Sequence, residues 1–293
     1  MSKLLSNLNP SPGASHHPLP SGEGSILVMD GAMGTLIAGP AKDSLNLTSP
    51  ETILAIHRQY LEAGADILKT NTFNSSSGPA GYEINVAGAR LARKAANEFT
   101  TVNPARPRFV AGSIGPGGDG FYDLARGLID GGVDLLLAET ITSISVAMAA
   151  LSAFETLFAK TGRELPVMLS ITISEIGGLP SGETLEGFWE SVANRKIFSV
   201  GINCGFGSRH VGPSIAKLAA LASTRVSCHP SAGLPNASGG YDESPAEFAG
   251  ILRGFAEQGW VDIAGGCCGT TPAHIRAIAD AVRGIPRATI DPL

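Results

Sequence analysis

From Ser25 onward the chain alternates short, almost wholly apolar runs with longer stretches whose apolar residues recur every three or four positions. The short runs are SILVMD (25–30), ADILKT (65–70), RFVAGSI (108–114), DLLLAET (134–140), PVMLSITI (166–173), FSVGINC (198–204), TRVSCHP (224–230) and VDIAGGC (261–267). Runs this short, with little polar alternation, suit parallel strands covered on both faces. Between them the helical period appears in SPETILAIHRQYLEAG, EINVAGARLARKAANEF, ISVAMAALSAFETLFAK, ESVANR, VGPSIAKLAALA, SPAEFAGILRGFAEQG and TPAHIRAIADAVRG, with a trimmed third helix in GPGGDGFYDLARGL. Several open on Ser-Pro or Thr-Pro, an N-cap followed by proline at the first helical position. Eight such β–α units predict an α/β fold, a (β/α)8 TIM barrel in a single domain over 25–293. An open doubly wound sheet is disfavoured, because the glycine-rich phrases follow many strands instead of meeting at one crevice.

Ahead of the barrel, Met1 to Gly24 is rich in Pro, Gly and Ser and is expected to be a disordered leader; it has no apolar core for a signal peptide. No apolar run is expected to reach membrane-spanning length. The net charge of −5, without a Lys/Arg cluster, leaves nucleic acid without an electrostatic footprint. Four cysteines in 293 residues make no disulfide framework, which points to a reducing, cytoplasmic setting.

Barrel topology changes how those cysteines read. Cys204 ends the sixth predicted strand and Cys267–Cys268 end the eighth, so residues 63 positions apart meet at one mouth, where such barrels carry their active sites. Three thiolates suit zinc and leave a fourth position for water, substrate or another side chain. For any one cysteine, simple packing as a small hydrophobe competes with this reading, and Cys228 fits that description. A vicinal disulfide is the other alternative for the adjacent pair, at the cost of a strained ring. His229 is a candidate fourth ligand, although a hydrogen-bonding or packing role fits its position better. At the same mouth lie two carboxylates, Asp30 and Glu139, each readable as a loop cap or as the anion that captures a substrate ammonium. The loop Gly31-Ala32-Met33-Gly34 can offer N–H groups to a carboxylate.

Read in order, LVMDGAMGTLI (27–37), LNLTSPETI (45–53), AGADILKTNTFNSSS (63–77), VAGSIGP (110–116), GGVDLLLAET (131–140), GINCGFG (201–207), HPSAGLPN (229–236) and GGCCGTTPAHI (265–275) resemble the homocysteine S-methyltransferase family. The likeness is greatest to the homocysteine-binding module of cobalamin-dependent methionine synthase and runs from Ser25 to about Arg283. It implies zinc held by Cys204, Cys267 and Cys268, with the homocysteine sulfur in the open position. It implies amino-group contacts from Asp30 and Glu139, and carboxylate contacts from the loops carrying Gly31, Ala32, Met33 and Thr72. Asn203 sits beside the first ligand, as in the family pattern, and is expected to contact the substrate as well. The product would be methionine.

Three departures bear on the site. Lys69 stands where the synthase module usually has an acidic residue, and Ser231 replaces an Asn. Only 18 residues separate Gly115 from Asp134, which predicts a more open mouth on that side. Nothing after the eighth helical stretch would fold into a corrinoid- or folate-binding domain, so a methylcorrinoid donor is expected to arrive on a separate corrinoid protein. S-methylmethionine or betaine, needing no partner, is the alternative donor, with Phe73, Phe121 and Tyr122 as the aromatic candidates near the mouth. A different class of function, a zinc-bearing module that delivers homocysteine without turnover of its own, also fits these residues.

Overall fold

In a computed structural model, residues 24–37, 39, 42–116 and 120–287 are described; the expected leader lies outside them but for Gly24. Eight parallel strands follow one another around a barrel: β1 Leu27–Val28, β2 Ile67–Lys69, β3 Phe109–Ile114, β4 Leu135–Ile141, β5 Val167–Ile171, β6 Ser199–Gly207, β7 Arg225–Ser231 and β8 Ile263–Ala264. β1 pairs with β8, and a parallel bridge between Met29 and Ile67 joins β1 to β2. Each predicted apolar run therefore holds a strand, and the single-domain TIM barrel is the observed architecture.

The helices between strands are α1 Pro50–Glu62, α2 Pro79–Val102, α3 Phe121–Gly131, α4 Ile144–Thr161, α5 Leu185–Val192, α6 Ser208–Leu221, α7 Pro245–Glu257 and α8 Pro272–Ala281. Two short helical turns, Lys42–Ser44 and Leu45–Thr48, precede α1. Ser244 caps α7 by accepting from Glu247 N–H, with Pro245 behind it as the phrase predicts. α5 begins at Leu185, ahead of the predicted ESVANR, because Thr184 accepts from Gly187 N–H and caps the helix there. α4 corrects the expectation about membrane-spanning runs: its 18 residues are long and apolar enough by composition. Its Ala147, Leu151 and Phe154 are nevertheless buried against the barrel.

Alternation along the strands builds two cores. Leu27, Met29, Ile67, Phe109, Ala111, Leu135, Leu137, Met168 and Ile263 fill the barrel interior. Val28, Leu68, Val110, Leu136, Leu169, Val200 and Val226 face outward and meet helix residues such as Leu54, Leu128, Phe154, Phe188 and Phe248. Each fully buried Phe or Leu of this kind contributes about 1.5–3 kcal/mol. Continued toward the carboxyl ends, the inward positions change character, to Lys69, Ser113, Glu139, Asn203 and His229. The same parity sends Cys228 outward into the helix-facing core, fully buried. Polar chemistry is thereby confined to one end of the barrel.

Candidate active site

Cys204, Cys267 and Cys268 place their sulfurs all within 4.8 Å of one another, with Cys204 and Cys268 at 3.9 Å. Backbone geometry makes this approach. Cys204 has φ +57°, and the register between β6 and β7 slips between Cys204 and Gly207, turning the thiol out of the ladder. The vicinal pair is tied down from two sides: Cys267 N–H donates to Pro230 O at 2.8 Å and Ala232 N–H to Cys268 O at 2.9 Å. Thr270 hydroxyl donates to Cys267 O at 2.7 Å. Gly269 takes φ +79°, and a Cβ there would lie 2.1 Å from Tyr241 Cγ, so this turn admits only glycine.

The thiols act on one another electrostatically. Hydrogen bonds from Cys267 and then Cys268 hold the Cys204 thiol well below its ordinary pKa, while the same contacts push Cys267 up. Thiols this close share their protons, so their ionisation belongs to the cluster and not to one cysteine. Ser231 hydroxyl lies 3.8 Å from the Cys204 sulfur, a donor supplied where the family pattern has Asn. Tyr241 hydrogen-bonds Cys268; burial first, and the cysteine's charge second, push its phenol up to about 12. Three half-buried, mutually close thiol donors fit a thiophilic metal such as zinc. His229 is not among the residues that converge with them.

Beside the thiols lies a buried set of charges. Asp30 Oδ2 accepts from Lys69 N–H at 3.0 Å, and Lys69 Nζ lies 3.4 Å from Oδ1. Burial pushes the Asp30 carboxyl up to about 7 despite that ammonium. Glu139 accepts from Ser113 hydroxyl through Oε1, and its Oε2 lies 3.5 Å from both Asn203 Nδ2 and His229 Nε2. Burial works against the Glu139 charge, but His229 and Lys69 outweigh it and its carboxyl falls below the usual range. Burial lowers the His229 imidazole, against the pull of Glu139.

Other predicted contacts are already engaged. Asn203 accepts from Thr140 N–H at 2.9 Å and donates to Thr140 Oγ1 at 2.8 Å, clamping Thr140 at φ +59° just after Glu139. Asn203 thus braces the carboxylate's strand end. Thr72 donates to Ser113 O at 2.7 Å and pairs with Thr70, so its hydroxyl ties β2 to β3. Ala32 N–H donates to Thr270 Oγ1 at 3.1 Å, and Met33 is half-buried against the core. Phe121 is buried against Phe154, edge-on at 6.3 Å, in the helix layer instead of the mouth. The Tyr122 ring carries the Lys160 ammonium at 5.0 Å. Phe73 does sit by the mouth, its carbonyl accepting from Gly115 N–H. Residues 117–119 of the short connection are outside the described residues.

This arrangement of thiols and carboxylates meets a match along the chain. The family model for homocysteine S-methyltransferase matches residues 27–282. The chain belongs to the homocysteine S-methyltransferase family. Among solved structures, the homocysteine methyltransferase MmuM from Escherichia coli in its apo form is similar at 25% identity and a TM-score of 0.69. The match covers 88% of this chain and 96% of that one. The metallated form of MmuM aligns at 24% identity and a TM-score of 0.71, over the same 88% and 96%. A ribulose-1,5-bisphosphate carboxylase/oxygenase from Pyrococcus horikoshii, 12% identical with a TM-score of 0.55 over 88% of this chain and 59% of that one, shares the barrel alone. Membership makes the chain a methyltransferase.

Proposed function

We propose that the chain is a zinc-dependent homocysteine S-methyltransferase, making methionine, with Cys204, Cys267 and Cys268 holding the zinc. The observation that carries this is the convergence of three thiols within 4.8 Å beside the buried Asp30–Glu139 pair. The metallated form of MmuM supports it. Zinc bound to these thiolates supplies the Lewis acidity that ionises an acceptor thiol at neutral pH. The chain's own residues then position the acceptor. Glu139 forms the anionic pole for its ammonium group, with Asp30, held by Lys69, behind it, and the N–H groups of Gly31 and Met33 are the donors for its carboxylate. Asn203 and Thr72 act indirectly, holding the strand ends that carry those groups. The acceptor sulfur attacks the donor's methyl carbon; the new S–CH3 bond forms as the donor's bond to methyl breaks, and the donor leaves with that electron pair.

For the donor we favour a methylcorrinoid on a separate protein. Leu36, Leu47, Ile176 and Leu234, four of the five exposed large hydrophobics among the described residues, sit in connections leaving the carboxyl ends of strands, around the mouth. A small donor such as S-methylmethionine or betaine is supported instead by the match over 96% of the homocysteine methyltransferase MmuM, which leaves little of that chain outside the aligned barrel. Mixing the zinc-loaded chain with homocysteine and each donor class, and measuring methionine, decides between them. Rapid methionine formation with S-methylmethionine alone overturns the corrinoid reading. No methionine with any donor, despite homocysteine binding, would favour the delivery module. Free thiols this close support a reducing compartment, such as the cytoplasm, as the chain's location.

A further inference from the structure

Lys69 is the buried charge in this pocket to which the methyl transfer above assigns no step. The inward alternation of β2 delivers its side chain into the barrel, where it is 11% exposed. Its Nζ donates to Gly266 O at 2.9 Å and to Asp30 O at 3.3 Å, and lies 3.4 Å from Asp30 Oδ1. The backbone N–H of the same residue occupies the other oxygen, Oδ2. Lys69 therefore faces both oxygens of Asp30. Glu139 is left more open, since its Oε2 has only the two long 3.5 Å contacts.

The carboxylate pair that would hold a substrate ammonium thus already holds one, tethered to the chain. A second ammonium entering beside it meets repulsion from Lys69 and finds one of its two anions committed. We propose that Lys69 is a specificity-determining residue: its ammonium takes Asp30 out of the acceptor clamp, so that Glu139 alone holds the acceptor's ammonium. Discrimination in favour of α-amino thiols is weakened accordingly. A site that keeps a buried cation beside the acceptor's amino group selects against that group as well as for it. The proposal rests on the homocysteine reading above and deepens it.

The test compares homocysteine with 4-sulfanylbutanoate, which has the same thiol and carboxylate but no ammonium, binding to zinc-loaded protein by calorimetry. In Lys69→Met, zinc content should hold and the affinity ratio should shift toward homocysteine by roughly tenfold or more, because the acceptor's ammonium can then take the place that Lys69 held and ionise the Asp30 carboxyl against it. Adding Asp30→Asn to that variant should return the ratio to about the wild-type value. Asp30→Asn alone should lower thermal stability, since it strips a buried ammonium of its partner, and should move the ratio away from homocysteine, since Lys69 is then unneutralised. An unchanged ratio in zinc-replete Lys69→Met overturns the proposal. So does a double variant that keeps the full shift of Lys69→Met, and Lys69→Gln is read in its place if Lys69→Met does not fold. If zinc-loaded wild type binds neither thiol, the homocysteine reading fails and takes the inference with it; an unchanged ratio with homocysteine bound removes the inference only.

Discussion

Replacing Glu139 by Gln tests the acceptor clamp at the carboxylate that Lys69 leaves uncommitted. The substitution keeps the size of the side chain and leaves an oxygen for the Ser113 hydroxyl, but removes the charge and turns an amide toward Asn203 Nδ2 and His229 Nε2, both 3.5 Å away. Truncating one member of a buried ion pair costs about 2–5 kcal/mol. Two features place Glu139→Gln in the lower half of that range. The wild-type contacts to Oε2 are long, and the Lys69 ammonium already screens the pocket. A loss of about 2–3 kcal/mol corresponds to roughly 30–150-fold in acceptor affinity. Zinc binding should be nearly unchanged, because Glu139 does not belong to the thiol cluster. Calorimetric titration of homocysteine into zinc-loaded protein, with metal content measured on the same samples, reads both quantities. Homocysteine binding within about threefold of wild type, beyond the error of such comparisons, would refute the assignment of Glu139 to the ammonium.

Cys267→Ala should lose most of its zinc on dialysis, whereas Cys228→Ala, which points into the helix-facing core, should retain it; metal analysis of the two proteins side by side gives the answer. Gly269→Ala should lower both Tm and zinc affinity, since its Cβ would displace the Tyr241 ring and the residue would be held at φ +79°; a variant with wild-type values of both would show that the turn has slack. Asp43 concerns stability alone: burial pushes its carboxyl up to about 6 from 3.8, against a hydrogen bond from Asn74 N–H. A folded pKa above the unfolded one means the stability is full below about pH 4 and is lost as pH rises through about 6. Asp43→Asn, which keeps an acceptor for Asn74, should therefore raise stability at pH 8 by on the order of 1–3 kcal/mol and leave pH 4 unchanged, as denaturant melts at the two pH values would show.

Strand number, strand ends and the meeting of Cys204 with Cys267–Cys268 were legible in the sequence, because they follow from apolar run length and from the rule that all strands of such a barrel end at one mouth. Strand parity was legible too: Glu139 lies an even number of residues from Leu135 and Leu137, so it points inward with them. Hydrogen-bond commitments were not. Asn203, expected at the substrate, also clamps Thr140, 63 positions away, and no spacing in the sequence marks that bond. Thr72 was hidden in the same way by its bond to Ser113. Tyr241 follows a glycine- and serine-rich phrase with no periodicity to point it at Cys268. Phe121 and Tyr122 were misplaced because helix rotation, which decides whether a residue at a helix start faces the mouth or its neighbouring helix, is not set by proximity to a strand end.

The two non-glycine residues at positive φ among the described residues, Thr140 and Cys204, follow from the same demand. A parallel ladder sends alternate side chains straight into or out of the barrel, and neither direction brings a strand-end group to the centre of the mouth. At Thr140 the register between β4 and β5 slips between Ala138 and Ile141; at Cys204 the β6–β7 register slips before Gly207. Each slip costs backbone strain on the order of 1–3 kcal/mol. Each is held by a local bond, from Asn203 to Thr140 and from the neighbouring thiols to Cys204. Asn203 and Cys204 are adjacent, so one bulge at the end of β6 sets both the carboxylate's strand end and the first thiol. Loss of the Asn203 clamp would therefore disturb the acceptor pole and the metal pole together, whereas loss of Glu139 would disturb one alone.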